Sequence, residues 1–116
     1  MINQPVANQP SLYVIPTPIG NLGDITLRAL DTLKSVDILL CEDTRVTKKL
    51  LNHYEISRQL MTYNDFSDDS IDSIVRQMES GVVFGLVSDA GCPGISDPGF
   101  KLISRVYQHN LFVEVL

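Results

Sequence analysis

A chain of 116 residues in which 44% of the side chains are hydrophobic can bury one core but not two, so the sequence predicts a single folded domain. The formal charge of −5 argues against a module that holds nucleic acid through its overall field, and RNA binding would need a local basic patch. Two cysteines without a zinc-type Cys/His cluster, and the lack of any segment long enough to span a membrane, indicate a cytoplasmic protein without a disulfide framework.

Short apolar runs predict the strands of this domain. Residues 1–11 are polar and contain prolines, so we expect a flexible tail before a folded region that spans residues 12–116. The strand at residues 82–87 is the clearest, because it is apolar throughout. The five predicted strands are residues 12–15, 36–40, 59–62, 82–87 and 111–115.

Segments of helical period lie between the strands and predict four helices. The third is expected to begin at Asp68 or Asp69 and to end at Gly81. In the fourth, Asp97 is expected to cap the helix and Pro98 to occupy its first position. The apolar positions that mark the four helices are, in chain order, Leu27, Leu30 and Leu33; Val46, Leu50 and Leu51; Ile71, Ile74, Val75 and Met78; and Phe100, Ile103 and Val106.

The alternation of strands and helices predicts an α/β fold with an open, mainly parallel five-stranded sheet flanked by helices. Ligands of such sheets bind beyond the carboxyl ends of the strands. Three unusual segments, residues 16–24, 41–45 and 88–99, directly follow the first, second and fourth predicted strands. The last of these holds three glycines, two prolines and two aspartates in twelve residues, which is typical of a binding loop. We therefore expect these segments to meet at one rim and form a cleft.

Each segment also has a purely structural interpretation. Residues 16–24 can be a proline-stiffened connection in which Asp24 caps the next helix, and Asp43 or Thr44 can cap the second helix while Glu42 stays solvated. Arg45 can neutralise the adjacent acids. Arg45, Lys48 and Lys49 share one face of the predicted helix, and this face is either solvated surface or a phosphate contact. Cys92 is not expected to be a nucleophile, because its segment contains no base that could activate the thiol.

Three motifs occur in one order along the chain. They read Thr-Pro-Ile-Gly-Asn-Leu at 17–22, Glu-Asp-Thr-Arg at 42–45, and Ser-Asp-Ala-Gly at 88–91 followed by Pro-Gly-Ile-Ser-Asp-Pro-Gly at 93–99. Asp-Ile at 24–25 and Arg-Ala-Leu at 28–30 accompany the first. With these motifs the chain, from residue 12 to residue 116, resembles the ribosomal RNA small subunit methyltransferase I family of the tetrapyrrole methylase superfamily.

The resemblance implies an enzyme that uses S-adenosylmethionine to methylate the 2′-hydroxyl of a cytidine in 16S ribosomal RNA, free or within the small ribosomal subunit. It implies two α/β lobes with the methyl donor between them, a homodimer, and no metal or membrane partner. This chain resembles the N-terminal lobe alone, since family members continue past the equivalent of Leu116 with a Pro-Gly-Pro-Ser-Ala-like segment and a second lobe. The 116 residues by themselves are therefore not expected to be active.

Methyl transfer to a ribose oxygen needs two aligned substrates and a base that accepts the hydroxyl proton. The resemblance places Glu42 at the position of an acidic active-site residue, with Asp43 as the alternative catalytic carboxylate. For the phosphate backbone of RNA, the candidates are Arg28, Arg45 and Lys48. The residues expected near the methyl donor are Pro18, Ile19, Gly20, Ser88, Asp89, Ala90 and Gly91.

Two other functions remain open at this point. The same scaffold can methylate a tetrapyrrole or another small molecule, although that branch usually carries a Gly-x-Gly-Pro-Gly opening where this chain has Thr-Pro-Ile-Gly-Asn. The polypeptide can also be a binding or assembly module without catalysis of its own. A measurement of methyl-donor binding separates this last possibility from the enzymatic ones.

Overall fold

The computed structural model describes residues 9–18, 21–63, 67–89 and 97–116, except the side chains of Asp89 and Asp97. The described residues form one five-stranded sheet with the strand order β3-β2-β4-β1-β5. All neighbouring strands run parallel, which confirms the predicted α/β class. The strands are β1 (Leu12–Thr17), β2 (Ile38–Cys41), β3 (Gln59–Thr62), β4 (Phe84–Asp89) and β5 (Val113–Val115).

Helices cover both faces of this sheet. Ala29 and Leu33 of α1 share a core with Leu50 and Leu51 of α2 on one face. On the other face α3 and α4 pack together, and the predicted positions Ile71, Ile74, Val75 and Met78 are all buried there. The helices are α1 (Leu27–Ser35), α2 (Thr44–His53), α3 (Asp68–Glu79) and α4 (Asp97–Gln108), and a 3₁₀ turn covers Leu22–Asp24. No helix in the described part of the chain is both long and apolar enough to cross a membrane.

The central strand β4 explains how two layers of helices fit around one sheet. Its side chains alternate between the faces, so Phe84 packs in the core under α3 and α4 while Val87 packs under α1 and α2. Gly85 lies between the flanking strands, where a Cβ atom would approach Leu39 Cδ2 to 2.8 Å and Ile15 Cδ1 to 2.9 Å. The sheet thus needs glycine at this position for close packing.

Three apolar side chains predicted from the helical period do not lie in the core. Leu27 is 80% exposed, Val46 is 57% exposed and Phe100 is 68% exposed. Each lies in the first turn of its helix, and each of these helices begins at the carboxyl edge of the sheet. In α4 the predicted position Val106 is buried with Leu102, and the predicted position Ile103 packs against the same core. The helical period therefore identified the apolar face of each helix, but not which residues of that face are buried.

Helix α3 begins at Asp68, as predicted, but the caps of two helices differ from the sequence interpretation. The N-cap of α3 is Ser67, whose hydroxyl accepts a hydrogen bond from the Ser70 N–H at 3.2 Å, and Asp68 and Asp69 lie in the first turn. Carboxylates are favoured in that turn because the helix dipole is positive there. The N-cap of α1 is Thr26 rather than Asp24, which belongs to the 3₁₀ turn.

The other predicted helix ends have mixed outcomes. Gly81 has a φ of +107° just after α3, as expected for a residue that ends a helix. Asp97 is the first residue of α4. Pro98, which was predicted at the first position, is therefore the second residue of this helix. The residue before Asp97 and the Asp97 side chain lie outside the described residues, so the predicted cap at Asp97 stays a prediction.

Candidate active site

The sheet opens at its carboxyl edge between β2 and β4. The pairing of these two strands ends at Leu40 and Leu86, whereas β1 stays paired with β4 as far as Thr17 and Asp89. After β2 the chain turns to α2 on one face, and after β4 it continues to α4 on the other face. A crevice between strands whose connections leave in opposite directions is the usual ligand site of a parallel sheet.

A cleft occupies this opening. Its volume is about 90 Å³, which is below the roughly 300–1,000 Å³ that is typical of small-molecule sites, and it is open to solvent. The ends of β1, β2 and β4 therefore converge, as the sequence predicted. The cleft is lined by Thr17, Pro18, Leu22, Cys41, Glu42, Asp43, Val46, Thr47, Leu50, Tyr63 and Val87.

The structure describes part of the predicted donor-binding set. Pro18 lines the cleft, and Ser88 lies half-buried near the end of β4. Asp89 is the last residue of that strand and is paired with Thr17. The other predicted members, Ile19, Gly20, Ala90 and Gly91, lie outside the described residues, as does Cys92.

The two candidate carboxylates have different surroundings. Asp43 is the N-cap of α2, and its carboxylate accepts hydrogen bonds from the Arg45 backbone N–H at 2.9 Å and the Arg45 side chain at 3.2 Å. These bonds hold the pKa of Asp43 below its ordinary value. Asp43 is thus a capping anion and a weaker proton acceptor than an ordinary carboxylate. Glu42 is exposed at the end of β2 and lines the cleft.

The predicted basic residues fall into two groups. Arg45 and Lys48 are exposed on α2, and so is Lys49. Val46, Thr47 and Leu50 of this helix line the cleft, and at about 3.6 residues per turn the basic side chains lie on the opposite face of the helix, toward solvent. Arg28 on α1 instead forms an ion pair at 2.7 Å with Glu114 of the edge strand β5. The structure therefore separates Arg28 from the other two.

Two hydroxyl groups at the rim were not singled out from the sequence. The Tyr63 hydroxyl donates to the Val87 carbonyl at 3.3 Å, and the Thr17 hydroxyl donates to the Ser88 carbonyl at 3.3 Å. Both side chains are 4% exposed. The sequence could have indicated both residues, because each lies at or just after the end of a predicted strand, and ligands of parallel sheets bind at the carboxyl ends of the strands.

Further residues complete the walls of the cleft. The Tyr54 hydroxyl donates to the Leu22 carbonyl at 2.6 Å and fastens the segment after β1 to the end of α2. Cys41 is buried at the end of β2, and this burial raises the pKa of its thiol, although a hydrogen bond with Thr47 opposes the change. A neutral thiol here serves as packing. Among the described residues, no three His, Cys, Asp or Glu side chains are grouped as metal ligands.

This chain is similar in sequence to known proteins. A family model described as Tetrapyrrole (Corrin/Porphyrin) Methylases matches residues 11–116. The Ribosomal RNA small subunit methyltransferase I of Mycoplasmopsis pulmonis is 53% identical over 106 residues, which are 90% of this chain and 48% of that protein. The protein of the same name from Vibrio cholerae is 50% identical over 113 residues, 96% of this chain and 39% of that protein. The chain thus spans less than half the length of these relatives.

Solved structures share the fold. Cobalt precorrin-4 methyltransferase, a cobalamin biosynthetic enzyme, superposes with a TM-score of 0.72 at 18% identity, covering 90% of this chain and 44% of that one. Uroporphyrin-III-C-methyltransferase from Thermus thermophilus gives a TM-score of 0.69 at 17% identity, covering 90% of this chain and 46% of that one. At such low identity these similarities describe the architecture, not the substrate.

Proposed function

Because the chain belongs to the tetrapyrrole methylase family, we propose that it forms the donor-binding part of an S-adenosylmethionine-dependent enzyme that methylates the 2′-hydroxyl of a cytidine in 16S ribosomal RNA. The observation that carries the proposal is the cleft, which is built from the strand ends that hold the three motifs. The support for an RNA substrate is the name, Ribosomal RNA small subunit methyltransferase I, that is shared by relatives 50–53% identical to this chain.

The residues of the cleft suit this methyl donor. Leu22, Val46 and Leu50 offer apolar surface, while the ends of β1 and β4 offer backbone groups close to polar side chains. Pockets for small organic ligands combine these two features. When bound, S-adenosylmethionine supplies an electrophilic methyl group. We assign Pro18, Ser88 and Asp89 to donor binding, together with Ile19, Gly20, Ala90 and Gly91, which lie outside the described residues.

Glu42 is the proposed general base. A ribose hydroxyl becomes a good nucleophile only as its proton leaves, and a carboxylate within hydrogen-bonding reach can accept that proton. Glu42 and Asp43 both line the cleft, and Asp43 is the N-cap of α2, with its pKa lowered by hydrogen bonds from Arg45. We therefore give Asp43 a capping role and leave proton transfer to Glu42.

Positive charge on α2 supports an RNA substrate over a small tetrapyrrole. Arg45, Lys48 and Lys49 form a local basic surface on the solvent-facing side of α2, in a chain whose formal charge is −5. Such side chains fix a phosphate backbone without reading bases. Arg28 lies instead on α1, where it pairs with Glu114 of the edge strand β5, so we rank it below Arg45 and Lys48, which share α2 with residues that line the cleft.

The test uses the complete protein that contains this chain, with a donor labelled in its methyl group. We expect label to enter 16S ribosomal RNA, free or in the small subunit, and not a tetrapyrrole offered in parallel. A 2′-O-methyl group blocks alkaline cleavage, so the label should appear in an alkali-resistant dinucleotide that begins with cytidine. Label in the tetrapyrrole alone, or in an alkali-sensitive RNA product, would contradict the proposal.

We also propose that the complete enzyme is a cytoplasmic homodimer. The support for both statements is the family resemblance of the three motifs. Light scattering during size-exclusion chromatography measures the molar mass directly. A value of twice the chain mass is expected, and a monomer at micromolar concentration would refute the dimer.

A further inference from the structure

We propose that Tyr63 and Thr17 are positioning residues that hold the end of β4 in the conformation needed to bind the methyl donor. The inference rests on the proposed function, because it concerns the donor-binding cleft. It depends on hydrogen bonds that these side chains make to two successive carbonyl groups of β4, at Val87 and Ser88.

Tyr63 bridges the place where the sheet opens. Its backbone N–H donates to the carbonyl of Cys41, the last residue of β2, at 3.2 Å. Its hydroxyl donates to the Val87 carbonyl of β4 at 3.3 Å. One residue thus contacts the ends of both strands, just beyond their last paired residues, Leu40 and Leu86. Tyr63 therefore sets the width of the opening.

Thr17 holds the same strand end from the side of β1. Its hydroxyl donates to the Ser88 carbonyl at 3.3 Å, next to the final backbone pairing of Thr17 with Asp89. Successive carbonyls of a strand point toward opposite neighbours in the sheet. The end of β4 is consequently fixed on the β1 side by Thr17 and on the β2 side by Tyr63.

This arrangement matters because the backbone around Ser88 is part of the proposed donor site. A pocket that must order itself on binding loses affinity, and one whose backbone is already fixed does not. A buried carbonyl that loses a donor also carries an energetic penalty. Removal of either hydroxyl should therefore weaken donor binding more than it affects the affinity for RNA.

The test compares Tyr63→Phe and Thr17→Val with matched controls in the complete protein. Tyr107→Phe makes the same change at an exposed tyrosine, and Thr32→Val removes a buried hydroxyl that donates to the Arg28 carbonyl within α1. Calorimetry with S-adenosylmethionine should show about tenfold weaker binding for the two rim variants, equivalent to roughly 1.4 kcal/mol. The controls should bind within about twofold of the unaltered protein, the span expected when no donor contact changes.

Kinetics separate positioning from general loss of stability. We expect the KM for the donor to rise in the rim variants, while the KM for RNA and the kcat at saturating donor change little. Thr17→Ser keeps the hydroxyl and should restore donor affinity, which a role in packing alone would not explain. It also keeps the test decisive if Tyr63→Phe does not fold.

Two results would count against the inference. Folded Tyr63→Phe and Thr17→Val variants with unchanged donor affinity would overturn it while leaving the proposed function intact. Failure of the unaltered protein to bind S-adenosylmethionine would refute the proposed function, and this inference with it.

Discussion

Thr17 and Ser88 lie 71 positions apart in the sequence, yet the hydroxyl of Thr17 donates to the Ser88 carbonyl at 3.3 Å. The contact joins the last residue of β1 to the end of β4, the two strands from which the first and third motifs continue. Glu42 lines the same cleft from the end of β2. A parallel sheet thus brings three distant motifs to one edge, because all of its carboxyl ends lie there.

The roles proposed for the adjacent acids can be separated by mutation. Glu42→Gln keeps the size of the side chain but removes the proton acceptor, so kcat should fall by about 100-fold or more, with little change in donor or RNA affinity. Asp43→Asn keeps an N-cap and should retain most of the activity. Single-turnover methylation of RNA measures both. If Asp43→Asn lost activity while Glu42→Gln kept it, the assignments would be reversed.

The cap at Asp43 predicts a dependence of stability on pH. Its pKa in the folded protein lies below the ordinary value because Arg45 donates to its carboxylate. The ionised group therefore stabilises the fold above its unfolded pKa of about 4, and this contribution is lost as the pH falls through the lower folded value. Denaturant unfolding of the unaltered protein and Asp43→Asn should show a stability difference at pH 7 that shrinks at pH 3. A stability difference that did not change with pH would show that it does not arise from ionisation of Asp43.

Close packing at Gly85 predicts a large effect of one methyl group. Gly85→Ala places a Cβ atom under 3.0 Å from the side chains of Leu39 and Ile15 and should lower the free energy of unfolding by about 1–3 kcal/mol. Gly23→Ala is the matched control, since its Cβ would meet only the Asn21 side chain, at 3.3 Å. Chemical denaturation measures both variants. Equal stability of the two would contradict the packing argument.

Burial of Cys41 predicts that its thiol reacts slowly in the folded protein. In a Cys92→Ser background, a disulfide reagent at pH 8 should react slowly with the folded protein and rapidly after unfolding, because burial blocks access and raises the thiol pKa. The raised pKa stabilises the folded protein at pH values below the ordinary thiol pKa of about 8.5. That contribution declines as the pH rises through the higher folded value. Fast reaction of the folded protein would show that Cys41 is accessible.

Local sequence patterns predicted the helices and strands better than they predicted which apolar side chains at the helix starts are exposed. Strand β3 was predicted at residues 59–62 and is found there, and the apolar period of α3 marked four residues that are all buried. Leu27 and Phe100 fitted their helical periods equally well but face solvent. Whether an apolar helix position is buried depends on how far the sheet extends beneath it, and the helical period does not contain that information.

The candidate site was predicted in the same uneven way. Glu42 and Pro18 line the cleft, as their positions after β2 and β1 indicated. The bridging role of Tyr63 depends on β3 lying beside β2 and on the early end of the β2 and β4 pairing. Local residue patterns do not determine the strand order or the register. The sequence could therefore mark Tyr63 as a residue at the carboxyl edge, but its bridging role could be recognised only in the folded chain.

The central claim is that the methyl donor binds at the carboxyl edge of the sheet, between β2 and β4. The most direct test is a titration of the complete, isotope-labelled protein with S-adenosylmethionine, followed through its backbone amide NMR signals. We predict that the largest changes occur at Thr17, Glu42 and Ser88, while Ser11 and Val82 at the opposite edge stay unchanged. Changes concentrated at Ser11 and Val82, with none at the cleft, would contradict the account.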